Sequence, residues 1–508
     1  MTEKATNQET SPVHLSSQVI RGGGWLILMK ISGVLFELIK ALVLARLLTP
    51  QDFGLFGIVM LAIAVIEAIS QSGFHTALIQ RKENTEKYLD TAWSIQVLRG
   101  FILFSILFFT APLVSTFFKE PRIVVLLQVV SISVILRGMT NIGIVFFDKE
   151  LKFHKQFIYE MTGNTASLIV GIVLAFQLRS VWALIWANIV GVTTRCILSY
   201  ILHPYRPLFR LNRAQSAELF RFGRWMSGYT IVIFAWQQLD RLIIGKVLNA
   251  AALGIYQMAY RIANLAISQV SLTASTVMFP AFAKIQHEKK RLGRAFLDVF
   301  EFTVSIILPL TVFTFFAASD IVHVLLGSKW AESILPLKIL SLAGFLGALE
   351  NTSTPLFIGI GRPELEFWKS FSKAFIMLLT IYPLTLHWGL AGTCFSVVLG
   401  SFAPFPIWVQ VRSIAMISSE DIIRKMLPGV VLGIAGFIAV LLSNILFYDS
   451  HVRALLFEGF VACILWTIAT MILHYFWEIG PYIHMRKAVL ALFPATKGVR
   501  SEHMVTKP

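Results

Sequence analysis

Charged residues are scarce in this 508-residue chain, at 14% of the total, whereas soluble domains carry roughly 25%. Apolar residues make up 56% of the chain, and the mean hydropathy is +0.72. Runs such as residues 101–118 reach the length of about 18 apolar residues that is typical of a membrane span. Such runs recur from one end to the other, which excludes a soluble protein.

Cysteine is also scarce, and its three positions show no CxxC spacing that would indicate a disulfide framework or a metal site. We interpret Cys196, Cys394 and Cys463 as small core residues because all three lie in apolar runs. Residues 1–18 are polar and mixed in charge, unlike a cleavable signal peptide, so we expect the first span to be retained.

Catalytic and nucleotide-binding motifs are missing. The chain has no GxxxxGK[ST] loop, no HExxH and no GxSxG, which argues against an ATP-driven pump and a membrane hydrolase. No loop is long enough for the soluble catalytic domain of a glycosyltransferase. We therefore predict no enzyme activity, no catalytic residue, no metal and no cofactor.

The apolar runs predict about 14 transmembrane helices, which begin near residues 19, 52, 91, 122, 156, 181, 218, 251, 296, 332, 366, 389, 427 and 454. Lys and Arg test this layout, because cytoplasmic loops are enriched in them. With the amino terminus inside, the predicted cytoplasmic loops carry about four times as many bases as the opposite loops. An even number of spans with both ends cytoplasmic follows.

The net charge of +16 is thus distributed loop by loop and reflects topology. A nucleic-acid-binding protein would gather its positive charge on one soluble module. We therefore predict no nucleic-acid partner.

The segment RGGGW at residues 21–25 is repeated as RFGRW at residues 221–225. Farther along the same alignment, RLLTPQDFGLF (46–56) matches KVLNAAALGIY (246–256), with a base, Leu, a helix N-cap candidate, Gly and an aromatic residue in register. Thr49 and Asn249 are the N-cap candidates. The chain therefore reads as a duplication, and six intervening spans make the two copies parallel.

The predicted fold class is an all-α integral membrane protein with two parallel lobes of six helices around a central cavity, plus two C-terminal helices. This architecture is typical of an alternating-access transporter, whereas pores are more often rings of subunits. The predicted domains are a cytoplasmic tail (1–18), an N-lobe (19–205), a linker (206–217), a C-lobe (218–412), two additional spans (427–477) and a basic tail (478–508).

Ionisable residues within spans are costly in lipid and should face a cavity or a partner. On the first span Lys30, Glu37 and Lys40 share one helix face. The full set of cavity candidates is Lys30, Glu37, Lys40, Arg137, Gln237, Asp240, Arg241, Arg261, Asn264 and Lys373.

Two interpretations of these charges stay open. Glu37 with Lys40, and Asp240 with a neighbouring base, are compatible with structural ion pairs as well as with cavity lining. Arg99, Arg195, Lys338 and Lys369 lie near predicted helix ends, where basic side chains reach the interface. A cavity with more bases than acids favours a phosphate or another anion over a cationic drug.

The segments GGGWLILMK, ARLLTPQDFGLFGIV, FFDKELKFHKQF and DRLIIGKVLNAAALGIYQMAYRIANL resemble Wzx-type polysaccharide transporters. These belong to the multidrug/oligosaccharidyl-lipid/polysaccharide exporter superfamily, and the resemblance covers roughly residues 15–415. It implies a flippase with a cationic cavity in the bacterial inner membrane. The implied substrate is an undecaprenyl-diphosphate-linked oligosaccharide used for exopolysaccharide, capsule or O-antigen synthesis.

Our mechanistic hypothesis is that the diphosphate docks on cavity bases while the lipid tail stays in the bilayer between the lobes. The implied partners are membrane lipids and the polysaccharide polymerase and export machinery. Glu37, Glu67 and Asp240 are candidates to carry a coupling proton or sodium ion, and drive by the membrane potential stays open as the alternative. Three alternatives stay open: a peptidoglycan-precursor flippase, a cation-coupled multidrug exporter, and a membrane scaffold or synthase subunit of a polysaccharide complex.

Overall fold

All secondary structure in the described part of the chain is helical. The computed structural model describes residues 12–70, 86–150, 152–213, 234, 237–447 and 450–477. Three predicted features lie outside these residues: the start of the seventh helix at 218, the repeated segment at 221–225 and the basic tail at 478–508.

The chain divides into two compact units, Met1–Gln257 and Met258–Pro508. The helices of the first unit are α1 (Pro12–Leu47), α2 (Pro50–Ile69), α3 (Glu86–Phe118), α4 (Ile123–Val130), α5 (Ile132–Gly138), α6 (Val145–Lys149), α7 (Phe153–Leu178), α8 (Trp182–Leu202), α9 (Leu239–Val247) and the start of α10 (Ala250–Ile285). Within this unit α8 packs along α7, and α1 packs along the same helix α7.

The second unit contains the rest of α10 and eight further helices. These are α11 (Lys289–Phe316), α12 (Ala318–Ile321), α13 (Ile334–Thr352), α14 (Thr354–Gly359), α15 (Pro363–Phe402), α16 (Trp408–Ala415), α17 (Ser419–Leu446) and α18 (His451–Trp477). A π-helical segment, Val322–Leu326, and a 3₁₀ segment, Ser328–Ser333, connect α12 to α13. Helix α17 packs along α11 on one side and α18 on the other.

Within the described residues, nine segments are long and apolar enough to cross a membrane, or ten if the bent pair 123–138 and 142–149 forms one span. The predicted total of 14 stays a prediction. The helices predicted to begin near 366 and 389 are joined in α15, which is interrupted at Gly389 by a left-handed φ of 58°. Glycine adopts this conformation without the steric cost that a side chain would add.

The predicted helix caps are confirmed. Thr49 and Asp52 form a reciprocal capping box at the start of α2, since each side chain accepts a hydrogen bond from the other residue's backbone N–H. The Asn249 side chain accepts a hydrogen bond of 2.8 Å from the Ala252 N–H at the start of α10. Both matching segments of the repeat therefore begin a helix in the same way.

The glycine conserved between the two matching segments has a packing role in each. A Cβ atom on Gly54 would lie 1.6 Å from the Ala250 carbonyl oxygen, and one on Gly254 would lie 1.9 Å from the Pro50 carbonyl oxygen. Each glycine thus allows its helix to approach the backbone at the start of the other helix. The repeat seen in the sequence corresponds to a reciprocal contact between α2 and α10.

Large apolar side chains cover the outer surface. Phe109, Ile445 and Leu456 are each more than 70% exposed, as expected for side chains that contact lipid.

Cys196 and Cys394 are buried as predicted, but the core position predicted for Cys463 is wrong, because this residue is exposed. The buried face of α18 contains Ala454, Glu458 and Ala462, and the next residue points away from it.

Candidate functional site: a cavity with two arginines

Helices α2, α3 and α5 surround a cavity in the first unit. Two glycines set the approach of two of these helices, since a Cβ on Gly100 of α3 would lie 3.3 Å from the Gly138 Cα of α5. Small residues at such crossings let apolar helices pack closely. An arginine precedes each glycine in the sequence, so the close crossing also brings Arg99 and Arg137 to the same cavity.

The cavity has a volume of about 440 Å³, within the range of roughly 300–1,000 Å³ that is usual for small-molecule sites. Its polar groups are those of Glu67, Gln96, Arg99 and Arg137, with Phe234 and aliphatic side chains making up the rest of its wall. Two guanidinium groups and one carboxylate share this small volume. The ionisable side chains of the site therefore carry a formal charge of +1.

Arg137 forms an ion pair with Glu67. Its Nη1 atom lies 3.0 Å from one carboxylate oxygen and 3.2 Å from the other. The Arg137 side chain is 42% exposed, and both hydrogen bonds use the same nitrogen. A guanidinium carries five N–H donors, so the donors on Nε and Nη2 can bind an anion while the ion pair is present.

Arg99 is anchored differently, although sequence analysis interpreted it as an interfacial residue. It donates to the Ser70 hydroxyl through Nη2 (2.9 Å) and Nε (3.1 Å), and to the Glu67 carbonyl oxygen (3.2 Å). The described part of helix α3 begins at Glu86, so Arg99 lies at least about 20 Å from the helix start at 1.5 Å per residue. Its side chain lines the cavity with that of Arg137.

Gln96 connects α3 to α5 at the wall of the cavity. Its side-chain amide donates to the backbone carbonyl oxygens of Arg137 (3.0 Å) and Gly138 (3.3 Å). Ser70, Gln96 and Arg99 were not among the residues predicted for the site. Arg99 and Arg137 are each followed by glycine, but the same dipeptide occurs at residues 21–22, so this pattern alone does not identify the second arginine.

The polar face of α1 lies apart from these cavity-lining residues. Lys40 pairs with Glu37 at 3.2 Å and also donates to Ser167 of α7 at 3.2 Å. Lys40 therefore ties α1 to α7 as well as carrying charge. The Lys30 side chain lies outside the described residues, although its backbone belongs to α1.

The candidates near residue 240 form a separate group. The buried Asp240 carboxylate accepts hydrogen bonds from the Tyr256 hydroxyl and, at 2.7 Å, from the Arg241 backbone N–H. The Arg241 side chain donates to the Gln238 side chain at 2.7 Å. Gln237 is exposed. These contacts join α9 to α10 within the first unit.

The candidates of the second unit are dispersed. Arg261 is exposed on α10, and Asn264 donates to the Tyr260 carbonyl oxygen one turn earlier at 3.0 Å. Lys373 of α15 pairs at 2.9 Å with Glu350 of α13, and both side chains are largely buried. Lys369, interpreted from sequence as interfacial, is instead 2% exposed and lies 2.7 Å from Glu366.

The profile of a family described as "polysaccharide biosynthesis protein" matches residues 43–335, more than half of the chain. The teichuronic acid biosynthesis protein TuaB of Bacillus subtilis is 22% identical over 70% of this chain and 74% of that protein. The lipopolysaccharide biosynthesis protein WzxC of Escherichia coli is 24% identical over 72% and 75%.

The fold is similar to that of a solved flippase. The lipid II flippase MurJ, in an inward closed conformation, aligns with a TM-score of 0.69. The alignment covers 88% of this chain and 98% of MurJ, at 14% sequence identity. At this identity the similarity concerns the fold alone.

Proposed function

Because the chain belongs to the polysaccharide biosynthesis protein family, we propose that it is a flippase for an undecaprenyl-diphosphate-linked oligosaccharide. It carries this lipid across the bacterial inner membrane for exopolysaccharide, capsule or O-antigen synthesis. Transport proceeds by alternating access of a cationic cavity. The observation that carries the proposal is the cavity with Arg99 and Arg137 among apolar helices.

The substrate chemistry fits this cavity in two respects. A diphosphate presents several oxygen acceptors, and the planar guanidinium group binds such oxygens with two parallel hydrogen bonds. An apolar setting strengthens these charge-assisted bonds because water competes for them less. The lipid tail stays in the bilayer while the diphosphate reaches the two arginines.

The Arg137–Glu67 ion pair supplies a mechanism for binding and release. An incoming diphosphate first contacts the Nε and Nη2 donors of Arg137 and then competes with Glu67 for Nη1. Displacement of Glu67 from Arg137 leaves a carboxylate without its ion-pair partner in the cavity, where it can bind a cation that enters with the substrate. Glu67 thus links substrate binding to a coupling ion.

The chain is a multi-pass membrane protein. We place it in the inner membrane with both termini cytoplasmic, on the basis of the loop charges. Its partners are the lipid-linked oligosaccharide and the surrounding lipids, together with the polymerase and export machinery that receive the product. The two lobes of six helices and the two additional spans belong to this proposal.

The alternatives fit the site less well. A cation-coupled drug exporter needs a carboxylate available to an organic cation, yet the cavity carboxylate of Glu67 is held by Arg137. The similarity to MurJ concerns fold and does not favour a peptidoglycan precursor. A non-transporting scaffold does not require two arginines at a cavity, and ionisable residues within membrane spans are costly.

The test is leaflet transfer in reconstituted vesicles. Purified protein is inserted into liposomes that contain a fluorescent undecaprenyl-diphosphate oligosaccharide, and a membrane-impermeant quencher reports how much of it faces outward. Matched vesicles receive a fluorescent peptidoglycan precursor or an organic cation, and protein-free vesicles give the background rate.

Faster transfer of the oligosaccharide lipid than of either other compound supports the proposal. Export of the organic cation without lipid transfer identifies a drug exporter, and preference for the peptidoglycan precursor identifies that flippase. No movement of any of the three compounds by correctly inserted protein contradicts a transport function and favours the scaffold.

A further inference from the structure

A buried carboxyl group lies outside the cavity, in the second unit. Glu458 of α18 is 0% exposed, and neither of its carboxyl oxygens has a hydrogen-bond partner of good geometry within the described residues. The groups that face it are the Asp320 carboxyl of α12 and the Ser443 hydroxyl of α17. Asp320 is itself only 7% exposed. Two carboxyl groups therefore share one site from which water is largely excluded.

Two histidines complete the site on its outer side. His451 Nδ1 lies 2.6 Å from Asp320 Oδ1, and the His451 side chain is 50% exposed. The His323 ring stacks on the His451 ring with centroids 4.3 Å apart and planes 5° apart. His323 Nδ1 lies 2.8 Å from the Ser319 carbonyl oxygen, which can only accept, so this nitrogen carries a hydrogen.

These contacts determine where charge can reside. Stacked rings at 4.3 Å disfavour a positive charge on both imidazoles, and His451 is the ring that faces Asp320. Asp320 therefore has a hydrogen-bonding partner in His451. Among the described residues no basic side chain faces Glu458, so a carboxylate there would be buried beside a like charge, which is strongly unfavourable.

We infer that Asp320 and Glu458, with His451 and His323, form a proton-binding site that fastens α18 to α12 and to the π-helical segment Val322–Leu326. The bound proton resides on the carboxyl pair, and half-exposed His451 connects it to water. In the described part of the chain, no group of three His, Cys, Asp or Glu residues has metal-binding geometry, which favours a proton over a metal ion.

The consequence is a junction between helices that depends on pH. A proton that leaves the pair for water leaves two buried carboxylates facing each other, and their repulsion pushes α18 away from α12. His323 lies in the π-helical turn, a distortion frequently found at functional sites. By the predicted topology this junction faces the extracytoplasmic side. The inference does not depend on which substrate the protein carries.

Infrared spectroscopy tests the site directly, because the carbonyl stretch of a protonated carboxyl is distinct from the bands of a carboxylate. The experiment compares pH-difference spectra of wild type, Glu458→Gln and Glu332→Gln, all full-length in lipid nanodiscs. Glu332 is a matched control because it lies on the nearby 3₁₀ segment and is exposed.

We expect a buried-carboxyl band that disappears as pH rises, is absent in Glu458→Gln and is unchanged in Glu332→Gln. Absence of any Glu458-dependent band between about pH 5 and 8 overturns the inference. If Glu458→Gln does not fold, Asp320→Asn takes its place. A neutral partner removes the repulsion, so the band should disappear at a lower pH, and an unchanged midpoint overturns the inference.

Hydrogen exchange provides a readout of the junction itself. At one alkaline pH, residues 318–326 should exchange faster in wild type than in Glu458→Gln, which cannot develop the second negative charge. Equal exchange in the two proteins would contradict the proposed fastening of α18. The comparison at a single pH removes the intrinsic pH dependence of exchange.

Discussion

Substitution of Gly54 by alanine should destabilise the first unit. The added Cβ would lie 1.6 Å from the Ala250 carbonyl oxygen and 2.3 Å from its carbonyl carbon. Both atoms belong to the backbone, so no side chain can rotate away and α2 must move relative to α10. Gly254→Ala meets the same obstacle at the Pro50 carbonyl oxygen, 1.9 Å away.

The magnitude follows from two opposing terms. Overpacking of a close-packed contact costs roughly 1–3 kcal/mol, and the clash with backbone favours the upper end of this range. Alanine recovers up to about 1 kcal/mol because it is a better helix former than glycine. We therefore expect Gly54→Ala to lower the free energy of unfolding by about 2 kcal/mol.

Gly33→Ala is the matched control in the same unit. Its added Cβ would meet only the flexible Met161 side chain, at 3.9 Å, so helix propensity alone should raise stability by up to about 1 kcal/mol. Unfolding in mixed micelles of increasing denaturing detergent, followed by circular dichroism, measures both variants. Equal stability of Gly54→Ala and Gly33→Ala would refute the reciprocal contact between α2 and α10.

Three further predictions concern local interactions. Asp52→Ala removes the capping box and the hydrogen bond of 3.0 Å from the Val181 N–H, so it should lower the free energy of unfolding by about 1–2 kcal/mol. Asp52→Asn keeps an acceptor oxygen and should cost less stability. Equal losses in the two variants would contradict the role of Asp52 in the cap. Lys373→Met leaves Glu350 buried without this partner, so it should lower the free energy of unfolding by about 3–5 kcal/mol in the same assay. The Lys373→Met/Glu350→Gln double variant should recover part of this loss. Additive losses in the double variant would argue against the ion pair. Burial lowers the pKa of His203, whose Nδ1 accepts a hydrogen bond of 3.2 Å from the Tyr205 N–H. Neutral His203 therefore contributes to the stability of the folded state above the unfolded-state pKa of about 6.5. This contribution is lost as pH falls through the lower folded-state pKa. Thermal unfolding at stepped pH should show a smaller acid-side loss in His203→Gln, and parallel curves would contradict this assignment.

The sequence was most informative where local chemistry determines structure. Thr49 and Asn249 were predicted as helix caps because their side chains bond to backbone a few residues away. The matching glycines were found by aligning the two repeated segments, although their packing against each other's helix was not predicted. Apolar runs predicted a chain of many membrane-spanning helices, because each run is a property of consecutive residues, whereas the total of 14 stays a prediction.

Contacts between distant residues were not predictable in the same way. Arg137 meets Glu67 across 70 positions, and His451 meets Asp320 across 131. Arg99 was interpreted from its place near a predicted helix end, whereas its hydrogen bonds reach Ser70 and the Glu67 carbonyl, 29 and 32 positions away. Lys373 belongs to a buried ion pair that no spacing rule connects to Glu350.

The central claim is that the two cavity arginines hold the diphosphate during transport. Its most direct test measures the transfer of the fluorescent oligosaccharide lipid by Arg137→Gln and Arg99→Gln in the vesicle assay. Arg122→Gln is the control, because Arg122 pairs with Glu120 at an exposed position outside the cavity. Each charge-assisted contact contributes about 1.5–3 kcal/mol, so each cavity variant should bind the lipid roughly 10- to 100-fold more weakly.

We expect the transfer rate at limiting lipid concentration to fall by the same factor as lipid binding in both cavity variants. The rate of Arg122→Gln should equal that of the wild type. Wild-type rates in correctly inserted Arg137→Gln and Arg99→Gln would contradict the central claim, because the diphosphate would then be bound elsewhere.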